Sequence, residues 1–213
     1  MTRPEVMSSH YNMSTRGRPK GGDSAQTKKK ILDAARLEFA TNGYDGASIM
    51  AIATSVGIAP SAVYHYFQSK ENLYTDVFEQ TSNAIWDSVT PSEEATTLFD
   101  AMRQLLDDSR LLADKLPSYS DFLASLPIEA RLHPEFSDLL EKRADYQDRT
   151  FRKLASIGIE SGELDFLTED EATELIRSIV MGWFFERHFR QAEIPNSGDS
   201  ILAMFKHLLN THQ

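Results

Sequence analysis

Ser48–Phe67 reads SIMAIATSVGIAPSAVYHYF, and this stretch decides the fold. Ser48 is a good helix cap, and the apolar positions behind it suit a short helix over about 48–55. Gly57 ends that helix. Ala59-Pro60 opens another that runs to about Phe67, with proline at a first helical position where its missing N–H is harmless. Ile52, Ala53 and Val56 would turn the first helix inward, and Ile58 and Val63 would lock the second against it. Two short helices joined by a glycine-containing turn are the plan of a helix-turn-helix. A plain αα-hairpin inside a bundle has the same pattern, so this stretch alone leaves open whether DNA is involved.

Working outward, Ile31, Leu32, Ala35 and Phe39 lie on one face of a helix that starts near Thr27 and stops at Asn42-Gly43. Ser69 caps a fourth helix carrying Leu73, Val77 and Phe78 to about Val89. Residues 1–24 are poor in apolar side chains and read as a disordered arm. Helices are expected over about 93–114, 119–131 and 135–160, with breaks at Pro117, Pro127 and Pro134. Thr168-Glu169-Asp170-Glu171 matches a capping box. The helix it opens carries the stripe Leu175, Ile176, Ile179, Val180, Trp183 and Phe184, and a last helix from about Asp199 repeats it with Ile201, Leu202, Phe205, Leu208 and Leu209. No segment reads as a strand with similar strength. The chain is all-α, with about nine helices: a three-helix head and a larger bundle.

Charge is unevenly spread. Residues 1–30 hold seven Lys/Arg against two acids, whereas residues 79–213 hold 13 against 25. A basic arm ahead of an acidic body suits a protein that meets a polyanion at one end only.

Residues 25–85 resemble the DNA-binding domain of the TetR family of bacterial transcriptional regulators. The resemblance rests on Ile31, Ala34-Ala35, Phe39 and Gly43-Tyr44, then Ser48, Ile52-Ala53 and Val56-Gly57-Ile58, then Tyr64, Tyr66-Phe67, Ser69-Lys70-Glu71 and Leu73. It implies that residues 86–213 form a ligand-binding and dimerisation domain. It also implies that Lys70 and the start of the fourth helix grip a phosphate, and that Tyr64 approaches the DNA backbone. One departure is Ala59, where the family usually places Ser or Thr as a cap. Losing that cap costs about 1 kcal/mol, and the fixed φ of Pro60 partly compensates.

Between Ser48 and Ser69 there is no charged side chain. Phosphates would therefore meet the hydroxyls of Ser48, Tyr64 and Tyr66, together with backbone N–H groups. Base edges would meet Pro60, Ser61, Ala62 and His65. None of these is the Arg, Asn or Gln that makes a bidentate base contact. Part of the specificity is therefore expected from the arm. Arg16-Gly17-Arg18-Pro19 resembles the core of a minor-groove AT-hook, in which arginines enter narrow A·T-rich grooves.

In the body, Trp86, Phe99, Met102, Phe122, Tyr146, Met181 and Phe185 are candidates for the wall of a small-molecule pocket, which the resemblance implies. Arg103, Tyr119, Asp121, Tyr146 and His188 are possible polar selectors. The C-terminal stripes suit a homodimer interface through Leu175, Ile179, Trp183, Phe205 and Leu208. With no cysteine, thiolate metal sites, disulfides and a cysteine nucleophile are excluded. The six histidines show no metal-ligand spacing, and no nucleophile elbow, P-loop or dinucleotide fingerprint occurs. The expectation is thus a cytoplasmic, homodimeric transcriptional regulator without cofactor, metal or enzymatic activity. It would be a repressor that leaves a pseudo-palindromic operator when a ligand binds. The alternative is an architectural DNA-binding protein that needs no ligand.

Overall fold

The computed structural model describes residues 20–89, 95–189 and 197–210. Among these are nine α-helices, one short 3₁₀ turn and no strand. The basic arm, including Arg16 and Arg18, lies outside the described residues, as does the side chain of Leu208.

Helix α1 (Lys20–Gly46) starts seven residues before Thr27, inside the stretch read as disordered. Ile31, Leu32, Ala35 and Phe39 form its buried face. At Gly43 the backbone turns to φ 69, ψ 177, so the break expected at Asn42-Gly43 is present, followed by one further turn. In α2 (Ile49–Val56) Ser48 Oγ accepts from Ala51 N, and Gly57 in the left-handed region sends its N–H back to the carbonyls of Ala53 and Thr54. Helix α3 (Pro60–Tyr66) has no side-chain cap at Ala59. Helix α4 (Lys70–Val89) is opened by Ser69 Oγ, which accepts from Asn72 N at 3.0 Å.

Helix α5 (Leu98–Lys115) is capped by Thr97. Helix α6 (Pro117–Leu132) begins at Pro117, with that residue in its first turn. The break expected at Pro127 does not occur, because that proline lies inside α6. A helix-interior proline leaves the carbonyl four residues earlier without its donor. That carbonyl belongs to Leu123, and Arg143 Nη1 supplies the missing hydrogen bond at 2.8 Å. A 3₁₀ turn over Pro134–Phe136 leads into α7 (Ser137–Glu160). Helix α8 (Glu169–Phe189) is opened by the capping box: Thr168 N donates to Glu171 Oε2 at 2.9 Å and Glu171 N donates to Thr168 Oγ1 at 3.3 Å. Helix α9 (Ser197–Asn210) closes the bundle.

Two hydrophobic cores result. The first joins α1–α4 to α6 and the start of α7: Phe39, Tyr74 and Phe78 pack with Phe122, Leu126 and Phe136. The second joins α5, α7, α8 and α9 around Leu98, Met102, Phe151, Ile176 and Trp183. The head is thus seated on α6. Helix α4 runs without interruption through residues 85 and 86, where the sequence reading placed its domain boundary. Arg36 on α1 reinforces this seat. It is fully buried, bonds Thr81 Oγ1 at 2.8 Å and Asp33 Oδ1 at 3.0 Å, also bonds Gln80, and lies 3.8 Å over the Tyr119 ring.

Candidate nucleic-acid interface and effector cavity

Val63 and Phe67 are buried against the first core, which fixes the rotation of α3. Pro60, Ser61 and His65 are consequently exposed, Tyr64 is 50% exposed, and Ala62 and Tyr66 are half-buried. Pro60, Ser61, Tyr64 and His65 therefore form one outward surface. Ser48 is exposed at the start of α2; its backbone N–H donates to Glu38 Oε1 at 3.0 Å. Residues 48–69 bring no charged side chain to this surface, as the sequence requires, so the Glu38 carboxylate at Ser48 is contributed from α1.

The first cation after α3, Lys70, is held in place. Lys70 Nζ donates to the Asp45 carbonyl at 3.2 Å and sits 4.9 Å from the centre of the Tyr44 ring. An ammonium has three N–H donors, so one bond to Asp45 leaves two for a phosphate. The turn that positions Lys70 is itself fixed from the body: Tyr44 N donates to Glu129 Oε1 at 3.1 Å. Glu129 is buried on α6, and His133 one turn later stacks edge-on against Tyr44. Neither Glu129 nor His133 was identified from sequence as touching the head. The signal available was only an acid on the otherwise apolar stripe of α6.

The body encloses a cavity of about 520 Å³ between α4, α5, α6, α7 and α8. Its wall includes Ile85, Trp86 and Val89 from the end of α4, Leu105 and Leu112 from α5, Phe151 from α7, and Met181, Trp183 and Phe184 from α8. Volume and lining are those of a small-molecule site. Of the seven candidate wall residues, Trp86 and Met181 line the cavity. Phe122 and Met102 are instead consumed by the first and second cores. Phe99 is half-buried away from the cavity. Tyr146 faces α4, its hydroxyl donating to Asn83 Oδ1 at 3.0 Å. Phe185 lies behind the wall, 5.9 Å from the Arg143 guanidinium. Helical periodicity marks all of these as inward, and inward positions outnumber cavity positions.

Of the polar selectors, Asp121 and His188 both line the cavity and pair at 3.2 Å. Arg103 pairs with Asp100 on the surface, and Tyr119 stacks under Arg36. Arg143, which sequence reading passed over, is in the cavity wall and only 6% exposed. Its signal was a charged residue in register with Leu139, Phe151 and Leu154 on the buried stripe of α7.

Trp183 and Phe205, expected at a dimer interface, pack inside the chain's own second core. Leu175 is 41% exposed, Met204 is 44% exposed and Ile179, Ile201 and Leu202 are half-buried, so a partner could reach these apolar side chains. Among the described residues no helix is long and apolar enough to cross a membrane, and no group of three His, Asp or Glu could hold a metal ion.

Comparison with known proteins agrees with this geometry. The family model described as "Bacterial regulatory proteins, tetR family" matches residues 31–77, from the middle of α1 into α4. The HTH-type transcriptional repressor AcnR of Corynebacterium efficiens is 24% identical over 170 residues, covering 78% of this chain and 84% of its own. The HTH-type transcriptional regulator UidR of Escherichia coli K12 is 41% identical over 69 residues, 32% of each chain. In fold, the chain is similar to a TetR-like transcriptional regulator from Rhodococcus sp. RHA1, with a TM-score of 0.65 at 16% identity, over 87% of this chain and 94% of that one. The matched segment and the outward face of α3 agree, and residues 31–77 carry a DNA-binding segment of the tetR family of bacterial regulatory proteins.

Proposed function

We propose that this regulator is a repressor that binds a pseudo-palindromic operator as a homodimer and leaves it when a small molecule fills the body cavity. Residues 25–85 form the DNA-binding domain and residues 86–213 the ligand-binding and dimerisation domain. The course of α4 carries this reading. Its first residue is Lys70, held against the Tyr44–Asp45 turn, and its last turns place Ile85, Trp86 and Val89 in the cavity wall. A ligand beside Trp86 displaces one end of a rigid rod whose other end sets the phosphate grip. The repressor sign is supported by AcnR of Corynebacterium efficiens, which is named a transcriptional repressor.

In the DNA complex, Pro60, Ser61, Ala62 and His65 face base edges. Ser48, Tyr64, Tyr66 and Lys70 face the backbone, and Arg16 and Arg18 enter the minor groove. Two such heads in a dimer read half-sites about one DNA turn apart, ~34–36 Å. Footprinting on DNA flanking the protein's own gene tests the reading. A protected pseudo-palindrome, lost on addition of a metabolite extract, is the expected result. A single protected half-site, together with a monomer in sedimentation at micromolar concentration, refutes it. Protection that no extract relieves favours the architectural alternative.

A further inference from the structure

Arg143 places a guanidinium in the cavity wall, and among the described residues no carboxylate pairs with it. The side chain is 6% exposed. Arginine carries five N–H donors, and a single hydrogen bond is made here among the described residues, from Nη1 to the Leu123 carbonyl at 2.8 Å. The Phe185 ring lies 5.9 Å away. Burial lowers its pKa to about 10, so it remains protonated at neutral pH. A buried cation without an opposite charge is one of the most unfavourable arrangements a protein can hold. Bonding the carbonyl freed by Pro127 does not account for it, because a neutral amide donor would satisfy that oxygen without a charge.

The rest of the wall narrows what could complete the site. Gln147, one turn after Arg143 on the same helix, is already directed to Met181 Sδ at 3.4 Å. Asp121 is the acid on the wall; it is exposed and engaged by His188. Apart from Ser109, Ser120, Gln147 and the Asp121–His188 pair, the rest of the lining is aromatic and aliphatic. We propose that the cavity takes an amphipathic organic acid, its carboxylate received by Arg143 and its apolar body lying against Trp86, Trp183 and Phe184. The planar guanidinium fork matches a carboxylate in two parallel hydrogen bonds, and pairing there removes the charge imbalance. This proposal rests on reading the cavity as the effector site.

The test uses the full chain and two pairs of probes, decanoate with decanamide and 2-naphthoate with 2-naphthamide. Both tryptophans of the chain, Trp86 and Trp183, line the cavity, so intrinsic fluorescence reports occupancy. At least one acid is expected to bind roughly tenfold or more tighter than its amide, the scale of a charge-assisted bidentate bond over a neutral one. In Arg143→Gln that preference disappears while the amide's own affinity is kept, and in Arg143→Lys part of it survives. Should Arg143→Gln fail to fold, the wild-type preference and the Arg143→Lys protein decide. Equal affinity for acid and amide in the wild type, persistence of the preference in folded Arg143→Gln, or binding of neither acid overturns the proposal.

The same probes added to the operator complex separate this from the release mechanism. Preferential acid binding that leaves the complex intact upholds the Arg143 site and defeats ligand release. Release by acid and amide alike upholds release and defeats the Arg143 site.

Discussion

Tyr44 in the head and Glu129 in the body are joined by a hydrogen bond of 3.1 Å from the Tyr44 backbone N–H to Glu129 Oε1. The same oxygen would lie 2.8 Å from a Cβ on Gly43. A Cβ there would force the Glu129 carboxylate to shift, at a residue whose φ of 69 and ψ of 177 belong almost only to glycine. Gly43→Ala is expected to destabilise the protein by roughly 1–3 kcal/mol from backbone strain alone. Adding Glu129→Ala should recover a part of any further loss, because it removes the clash but not the strain. Urea denaturation of the two single variants and the double variant measures both quantities; additive effects would show that Glu129 does not press on Gly43.

Lys70 is positioned by the Asp45 carbonyl and the Tyr44 ring rather than by an acidic partner. Lys70→Ala should weaken binding to every DNA sequence alike and lower the salt slope by about one unit. His65→Ala, on the exposed face of α3, should instead change affinity in a site-dependent way while leaving thermal stability unchanged. Salt titrations on a specific and a scrambled duplex distinguish the two. A sequence-selective loss in Lys70→Ala would mean that the ammonium reads a base.

Exposed and buried positions separate on α8, which allows the proposed dimer interface to be tested apart from folding. Leu175 is exposed, whereas Trp183 two turns later is buried. Leu175→Glu should shift the protein toward monomer in sedimentation equilibrium with little change in melting temperature. Trp183→Ala should instead lower fold stability by roughly 3–5 kcal/mol. A dimer unaffected by Leu175→Glu places the interface elsewhere.

Helices α7 and α8 are stapled through Asp148, which accepts from Arg152 Nε at 2.8 Å and from Arg177 Nη2 at 2.7 Å. The hydrogen bond from Arg152, joined by that from Arg177, holds the Asp148 carboxyl below the usual carboxylate range. A carboxyl whose folded pKa is lowered contributes stability above its unfolded value. That contribution is lost as pH falls through the lowered folded value. Stability should therefore decline on the acid side of the ordinary aspartate range, and Asp148→Asn should flatten that limb. The effect should be modest because the network faces solvent. An unchanged acid limb in Asp148→Asn, followed by denaturation at a series of pH values, assigns the decline to other carboxylates.

Local chemistry alone determined much of this molecule. The stops at Gly43 and Gly57, the caps at Ser48, Ser69 and Thr168, and the proline start of α3 depend on residues within one turn of each other, so they are legible in order along the chain. The outward face of α3 was legible too, because Val63 and Phe67 can be buried only if Ser61, Tyr64 and His65 point away. Tertiary structure decided what depends on distant partners. Pro127 stays helical because Arg143, sixteen residues on, satisfies the Leu123 carbonyl. Trp183 and Phe205 are core rather than interface, and Met102 and Phe122 are core rather than cavity wall, because an apolar stripe records only that a side is buried and not what covers it. Whether Arg143 meets open solvent or a cavity wall likewise depends on the placement of the surrounding helices, which no spacing within α7 encodes.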